Sequence, residues 1–122
     1  MVARKQLGNW GEEQVAQWYL GRGFEILDRN WRPQGAGVRG ELDLVCSLGR
    51  LLVVCEVKTR SSDAFGSAFD AITLTKQKQL RLLTGLYMQA MRKSASPLPT
   101  SNVRIDIASV TPKGISVLEA AC

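Results

Sequence analysis

The stretch from Glu41 to Thr59 most constrains how this chain can fold. Two segments of strand-forming character, Glu41 to Ser47 and Leu51 to Thr59, flank Leu48 and Gly49. Residues two apart on a strand share a face, so each segment sorts its charges to one side. Val54, Glu56 and Lys58 point one way, and Cys55, Val57 and Thr59 the other. Glu41, Asp43 and Val45 likewise share a face opposite Leu42, Leu44 and Cys46. A hairpin turning through Leu48 and Gly49 sets Ser47 opposite Arg50, Asp43 opposite Val54 and Glu41 opposite Glu56. Asp43 and Glu56 are then diagonal neighbours about 7–8 Å apart at the backbone, a spacing from which two carboxylates can converge on one cation.

Gathering Glu41, Asp43 and Glu56 on one patch costs free energy unless a cation or a lysine offsets the charge. Hard oxygen donors completed by water suit Mg2+ or Mn2+ better than zinc, and the chain has no histidine. Lys58, two residues beyond Glu56 on the same face, can orient or deprotonate a water or stabilise charge on a phosphate. Taken alone, Glu56-Val57-Lys58 reads more simply as a solvent-exposed pair. The acidic strand in matching register brings the two readings level.

Upstream, Val15, Ala16, Tyr19 and Leu20 recur at three- and four-residue steps and predict a helix over Gln6 to Leu20, stopped by Gly21 and Gly23. Glu12 lies in line with that apolar stripe, away from Glu13 and Gln17. A carboxylate on the core side needs a partner, although one in a first turn can simply complement the helix dipole. Phe24 to Asn30 reads as a strand and Arg32 to Gly40 as a glycine-rich loop. After a polar crossing segment, Ser61 to Asp70, with a turn at Phe65-Gly66, a second helix spans Thr73 to Arg92. Its apolar face is Leu80, Leu83, Leu86, Tyr87 and Ala90. Ser94 to Asn102 is a loop, and strands at Val103 to Val110 and Ile115 to Leu118 are joined through Pro112 and Gly114. The order αβββαββ describes an α/β fold, a mixed sheet of four to five strands packed by helices in a single layer arrangement. A length of 122 residues suits one domain, 1–122.

Sixteen Lys and Arg against eleven Asp and Glu give a net charge of +5, which favours an acidic partner such as nucleic acid or an anionic membrane surface. Arg32, Arg39 and Arg60 flank the acidic hairpin, while Lys76, Lys78 and Arg81 lie near the start of the second helix. Such an arrangement could hold a phosphate backbone on both sides of the acids, and each residue has a solvated surface as its plain alternative. Trp31, beside Asn30 and Arg32, is the best candidate for stacking on a base; Trp18 reads as packing and Trp10 is undecided. Cys46, Cys55 and Cys122 lack metal-ligand spacing, and the first two sit in apolar runs as small buried hydrophobes. Met1 to Gln6 has no apolar signal core, and the longest apolar run, Leu51 to Cys55, is too short to span a bilayer. A cytoplasmic protein with no membrane partner is expected.

Gly11-Glu12 with Ala16 and Leu20, Gly23, Asn30, Arg32, Gly40 to Leu44, Val54 to Arg60, Phe65-Gly66 and Lys76 together resemble the YraN family of bacterial proteins. The likeness runs from about Leu7 to Tyr87 and more loosely through Val103 to Val110. That family is similar to the restriction-endonuclease-like superfamily, whose signature is an acid on one strand and Glu-x-Lys on the next. Archaeal Holliday-junction resolvases add a glutamate on the first helix. The resemblance implies a restriction-endonuclease-like core with Asp43, Glu56 and Lys58 as signature residues and Glu12 as the added acid. Asp43 and Glu56 are then the expected Mg2+ or Mn2+ ligands, with Glu12 and Glu41 as further members. The expected activity is hydrolysis of phosphodiester bonds in DNA, in branched or repair intermediates, with a homodimer as the resolvase-like assembly. The chain departs from the pattern in a longer Arg32 to Gly40 segment and in Cys55, where a large apolar residue is commoner. Two rivals remain: a nucleic-acid-binding protein that keeps the nuclease scaffold without cutting, and a protein-interaction adapter.

Overall fold

The computed structural model describes residues 4–35, 37–61, 72–95, 97, 100 and 102–122. Its elements run α1 (Arg4–Leu20), β1 (Glu25–Trp31), β2 (Leu42–Leu48), β3 (Leu51–Thr59), α2 (Leu74–Arg92), β4 (Asn102–Thr111) and β5 (Gly114–Leu118). This is the expected αβββαββ order. The Phe65-Gly66 turn lies outside the described residues.

The five strands form one mixed sheet in the order β1-β2-β3-β4-β5, antiparallel except for the β3–β4 pair. That parallel pair needs a crossover, which α2 supplies. The helices cover opposite faces of the sheet, so the single layer arrangement expected from sequence is replaced by three layers. Val15, Ala16 and Tyr19 of α1 pack on Leu44, Cys46, Val53, Cys55, Ala108 and Val110. Leu80, Leu83 and Tyr87 of α2 pack on Val45, Leu52, Val54 and Ile105. The neighbours Val53 and Val54 thus enter different cores, as the period of two requires. A strand buried on both faces reads as a continuous apolar run, which is what Leu51 to Cys55 is.

Local chemistry sets the element ends. Gly23 stops α1 with φ of +88°, and the Thr73 hydroxyl caps α2 by accepting from the Lys76 N–H at 3.1 Å. Leu20, expected on the apolar stripe of α1, is exposed instead, at the last residue of the helix. Cys46 and Cys55 are fully buried free thiols, as their apolar surroundings suggest. Among the described residues, no helix is long and apolar enough to cross a membrane.

Candidate metal centre

The acids meet at one end of the sheet, where β1 and β3 finish and β2 begins. Single ligand oxygens of Glu12, Glu41 and Asp43 all lie within 4.8 Å of one another, and each residue is half-buried. Each arrives by a different route. Glu41 and Asp43 flank Leu42 at the start of β2, and Glu12 descends from α1. The helix can come this close because residue 11 is glycine: a Cβ there would sit 1.9 Å from Oγ1 of Thr59, at the end of β3. Gly40, with φ of +113°, performs the same service on the other side, where a Cβ would lie 2.5 Å from Nε2 of Gln79.

Two residues hold the carboxylates in place. The Asn30 amide donates to both oxygens of Glu12 (3.2 and 2.8 Å) and to Oε1 of Glu41 (3.3 Å). Asn30 does so from φ of +50°, a left-handed backbone that asparagine tolerates better than most residues. Arg32 donates from Nε to Oε2 of Glu41 at 3.0 Å and forms an ion pair with it.

The hairpin register differs from the expected one. Leu48 pairs with Leu51, Val45 with Val54 and Leu44 with Cys55, so the loop residues are Gly49 and Arg50. Gly49 has φ of +57°, a conformation unfavourable for Leu48. Asp43 and Glu56 are therefore not diagonal: one further step of this ladder sets them side by side. Because the offset is two residues, every side chain keeps its face. Asp43 accepts a hydrogen bond from the Val57 N–H at 2.9 Å. Its carboxyl is held well above the usual range, first by burial, then by hydrogen bonding and charge repulsion from Glu56.

Glu56 is almost completely buried. Its Oε2 lies 3.1 Å from Nζ of Lys76, an ion-pair distance, yet it has no aligned hydrogen bond. Lys76 also donates to Oε1 of Gln79 at 3.3 Å, and Gln79 donates onward to the Arg39 carbonyl at 3.3 Å. Lys76, expected on the basic rim, thus belongs to the acidic centre as the partner of Glu56. Lys58 is half-buried on the Glu56 face and makes no ion pair or side-chain hydrogen bond among the described residues.

Of the other basic residues, Arg39, Lys78 and Arg81 are exposed, and Arg60 is half-buried with its N–H given to the Val110 carbonyl at 2.8 Å. A cleft of about 390 Å³ opens over the carboxylates, lined by Lys5, Asn9, Glu12, Asn30, Arg32 and Glu41. The sequence patterns did not single out Asn30, Lys5 or Asn9 as site residues. Lys5, Asn9 and Glu12 follow three- and four-residue steps of one helix face, a signal that becomes readable once Glu12 is placed.

The fold and its site define a class: a three-layer α/β/α protein with a carboxylate cluster at an open sheet end. The chain belongs to the uncharacterised protein family UPF0102, the YraN family, whose model matches residues 11–110. It is 38% identical to a UPF0102 protein of Clavibacter michiganensis subsp. michiganensis over the whole of both chains. It is 39% identical to a UPF0102 protein of Streptomyces coelicolor, over 99% of this chain and 89% of that relative. A crystal structure described as SSO0001 superposes on 95% of this chain with TM-score 0.49 and 20% identity. This chain spans about half of that structure, 50% of its length.

Proposed function

We propose that the chain is a metal-dependent phosphodiesterase acting on nucleic acid, DNA foremost. The observation that carries this reading is the convergence of Glu12, Glu41 and Asp43 within 4.8 Å on a sheet end that also bears Lys58. The donor set fits a hard divalent cation: all three candidates are carboxylates, and Glu56 beside Asp43 leaves one buried oxygen without a hydrogen bond.

Glu12, Glu41 and Asp43 would hold Mg2+ or Mn2+; Glu56, expected as a ligand with Asp43, lies outside that cluster and is paired with Lys76. When bound, such an ion would polarise a phosphoryl oxygen and make water more acidic. Asn30 and Arg32 fix the rotamers of Glu12 and Glu41, so little reorganisation is needed when a ligand arrives. Lys76 holds Glu56 in place. Lys58, free of other partners among the described residues, is the group available to donate to a phosphoryl oxygen or orient the attacking water. The exposed Arg39, Lys78 and Arg81 would engage flanking phosphates and make binding salt-dependent.

The test is cleavage of labelled duplex, branched and single-stranded DNA, and of RNA, in Mg2+ or Mn2+, alongside calorimetric metal binding. Wild-type protein is expected to cut at least one substrate, and Asp43→Ala to lose both cutting and metal affinity. If wild-type protein cuts none of them, and it and Asp43→Ala bind metal equally weakly, the reading is wrong. Salt-dependent DNA binding without cleavage, unaffected by Glu56→Ala, would point instead to a binding protein on the same scaffold.

A further inference from the structure

A second cavity, of about 640 Å³, adjoins the acidic cleft between the end of β1 and the last turns of α2. Trp31, Arg32 and Gln34 form one wall, and Leu86, Gln89 and Lys93 the other. Arg32, just past the end of edge strand β1, lines both cavities: the acidic cleft on the α1 side of the sheet and this groove on the α2 side. Two of its lining residues are cations and none is an acid. Leu86 and Gln89 are shared with a shallower furrow of about 420 Å³ that runs past Arg81 and Arg92 over Gly85. A Cβ at Gly85 would touch nothing, and α2 has no Asp or Glu anywhere along its length. The groove and the furrow past Arg81 and Arg92 carry cations and no acid, the Asp28 carboxylate lying in a smaller adjoining hollow where the Tyr87 hydroxyl donates to it, and an anionic chain is the occupant their charge complements.

The aromatic wall is set before any ligand arrives. Trp31 is half-buried and stands edge-to-face on Tyr87, with ring centroids 5.1 Å apart and planes at 87°. The Tyr87 hydroxyl is anchored in turn by donating to Oδ2 of Asp28 at 2.8 Å. A ring fixed in this way costs little further ordering on binding. Gln34 and Gln89 add amide groups suited to the edge of a base, and the volume matches a pocket for one small ligand. A base inside a duplex already has both faces stacked, so an aromatic wall can engage only an unpaired one.

We propose that this groove binds an unpaired nucleotide of a single-stranded arm, separated by Arg32 at the β1 edge from the phosphate held at the acidic centre. The position of that phosphate rests on the nuclease reading; the preference for an unpaired base does not. The substrate class is then a duplex carrying a single-stranded flap or displaced strand.

The test is fluorescence anisotropy in EDTA, which suppresses cleavage, with a labelled plain duplex and the same duplex bearing a short single-stranded flap. Wild-type protein is expected to bind the flapped duplex roughly tenfold more tightly, the size of a base–aromatic stack. Trp31→Ala should bring the two ligands to equal affinity, and Trp31→Phe should keep most of the difference. Gln89→Glu places a carboxylate in the groove at an exposed helix position and should also erase the preference without disturbing folding. Equal wild-type affinities, no binding to either ligand, or a preference that survives both Trp31→Ala and Gln89→Glu would overturn the proposal. Cleavage in Mg2+ is read separately. A flap preference without cutting leaves the groove and removes the nuclease, whereas cutting without preference does the reverse.

Discussion

A Cβ on Gly11 would lie 1.9 Å from Oγ1 of Thr59 and 2.9 Å from its Cβ, closer than any two such atoms can stand. The α1 backbone rests on the Thr59 side chain, and Glu12 is delivered to the carboxylate cluster by that contact. Gly11→Ala must push α1 off the end of β3. The expected cost is about 1–3 kcal/mol in urea unfolding, typical of overpacking, together with weaker Mn2+ binding in calorimetry. Thr59→Gly in the Gly11→Ala background removes the clashing atoms and should restore much of both. Strictly additive effects of the two substitutions would show that the contact does not position Glu12.

Asn30 combines a left-handed backbone with an amide that bridges Glu12 and Glu41, and the two roles can be separated. Asn30→Gly keeps the backbone and loses the amide. Asn30→Ala loses the amide and adds about 1 kcal/mol of strain. Both variants should bind Mn2+ more weakly than wild type, while Asn30→Ala should also be the less stable of the two in thermal unfolding. Wild-type metal affinity in Asn30→Gly would mean that the bridging amide does not organise the cluster.

Asp43 has its carboxyl raised above the ordinary value by burial and by Glu56, so the fold favours its protonated form when no cation is present. A raised acid contributes stability that is complete below the unfolded value of about 4 and is lost as pH rises through the folded one. The protein in EDTA should therefore unfold at a lower temperature at about pH 9 than at about pH 6, in part through this group. Mg2+ should stabilise it more at the higher pH, and binding at the lower pH should release protons measurable as a buffer-dependent heat. Asp43→Asn should flatten both dependences. If metal-induced stabilisation is the same at the two pH values, the Asp43 proton is not coupled to the cation.

Much of this arrangement is written in local pattern. Period-two alternation in Glu41 to Ser47 and Leu51 to Thr59 places the acids on one face, and it survives a register error because the true offset differs by two residues. A turn centred on Leu48-Gly49 would put Leu48 in the loop; the positive φ of Gly49 instead makes it the first loop residue and carries Asp43 alongside Glu56. The apolar run Leu51 to Cys55 signals burial on both faces, which is why one helix layer could not suffice. Contacts that depend on where helices land were not legible. Helical spacing turns Glu12 inward, but nothing local says that it meets Glu41 and Asp43. Lys76 looks like any surface lysine until the crossover lays α2 beside Glu56.

Asp106 bears on stability alone, since it contacts α1 and the C-terminal tail and touches none of Glu12, Glu41 or Asp43. It is fully buried and accepts four hydrogen bonds: from the Tyr19 hydroxyl (2.6 Å), Nε and Nη2 of Arg104 (2.8 and 2.9 Å) and the Ala120 N–H (3.0 Å). This one carboxylate ties α1, β4 and the segment after β5 together. Asp106→Ala would leave the Tyr19 hydroxyl without its acceptor and the Arg104 guanidinium with only its longer ion pair to Glu119, at 3.6 Å. Breaking a buried pair in this way should cost about 3–5 kcal/mol in urea unfolding. Asp106→Asn keeps the shape and one acceptor oxygen and should cost less. At temperatures where both variants remain folded, their Mn2+ affinity should match wild type, since the carboxylate cluster is untouched. A loss of metal binding as large as that of Asp43→Ala would show instead that the two ends of the fold are coupled.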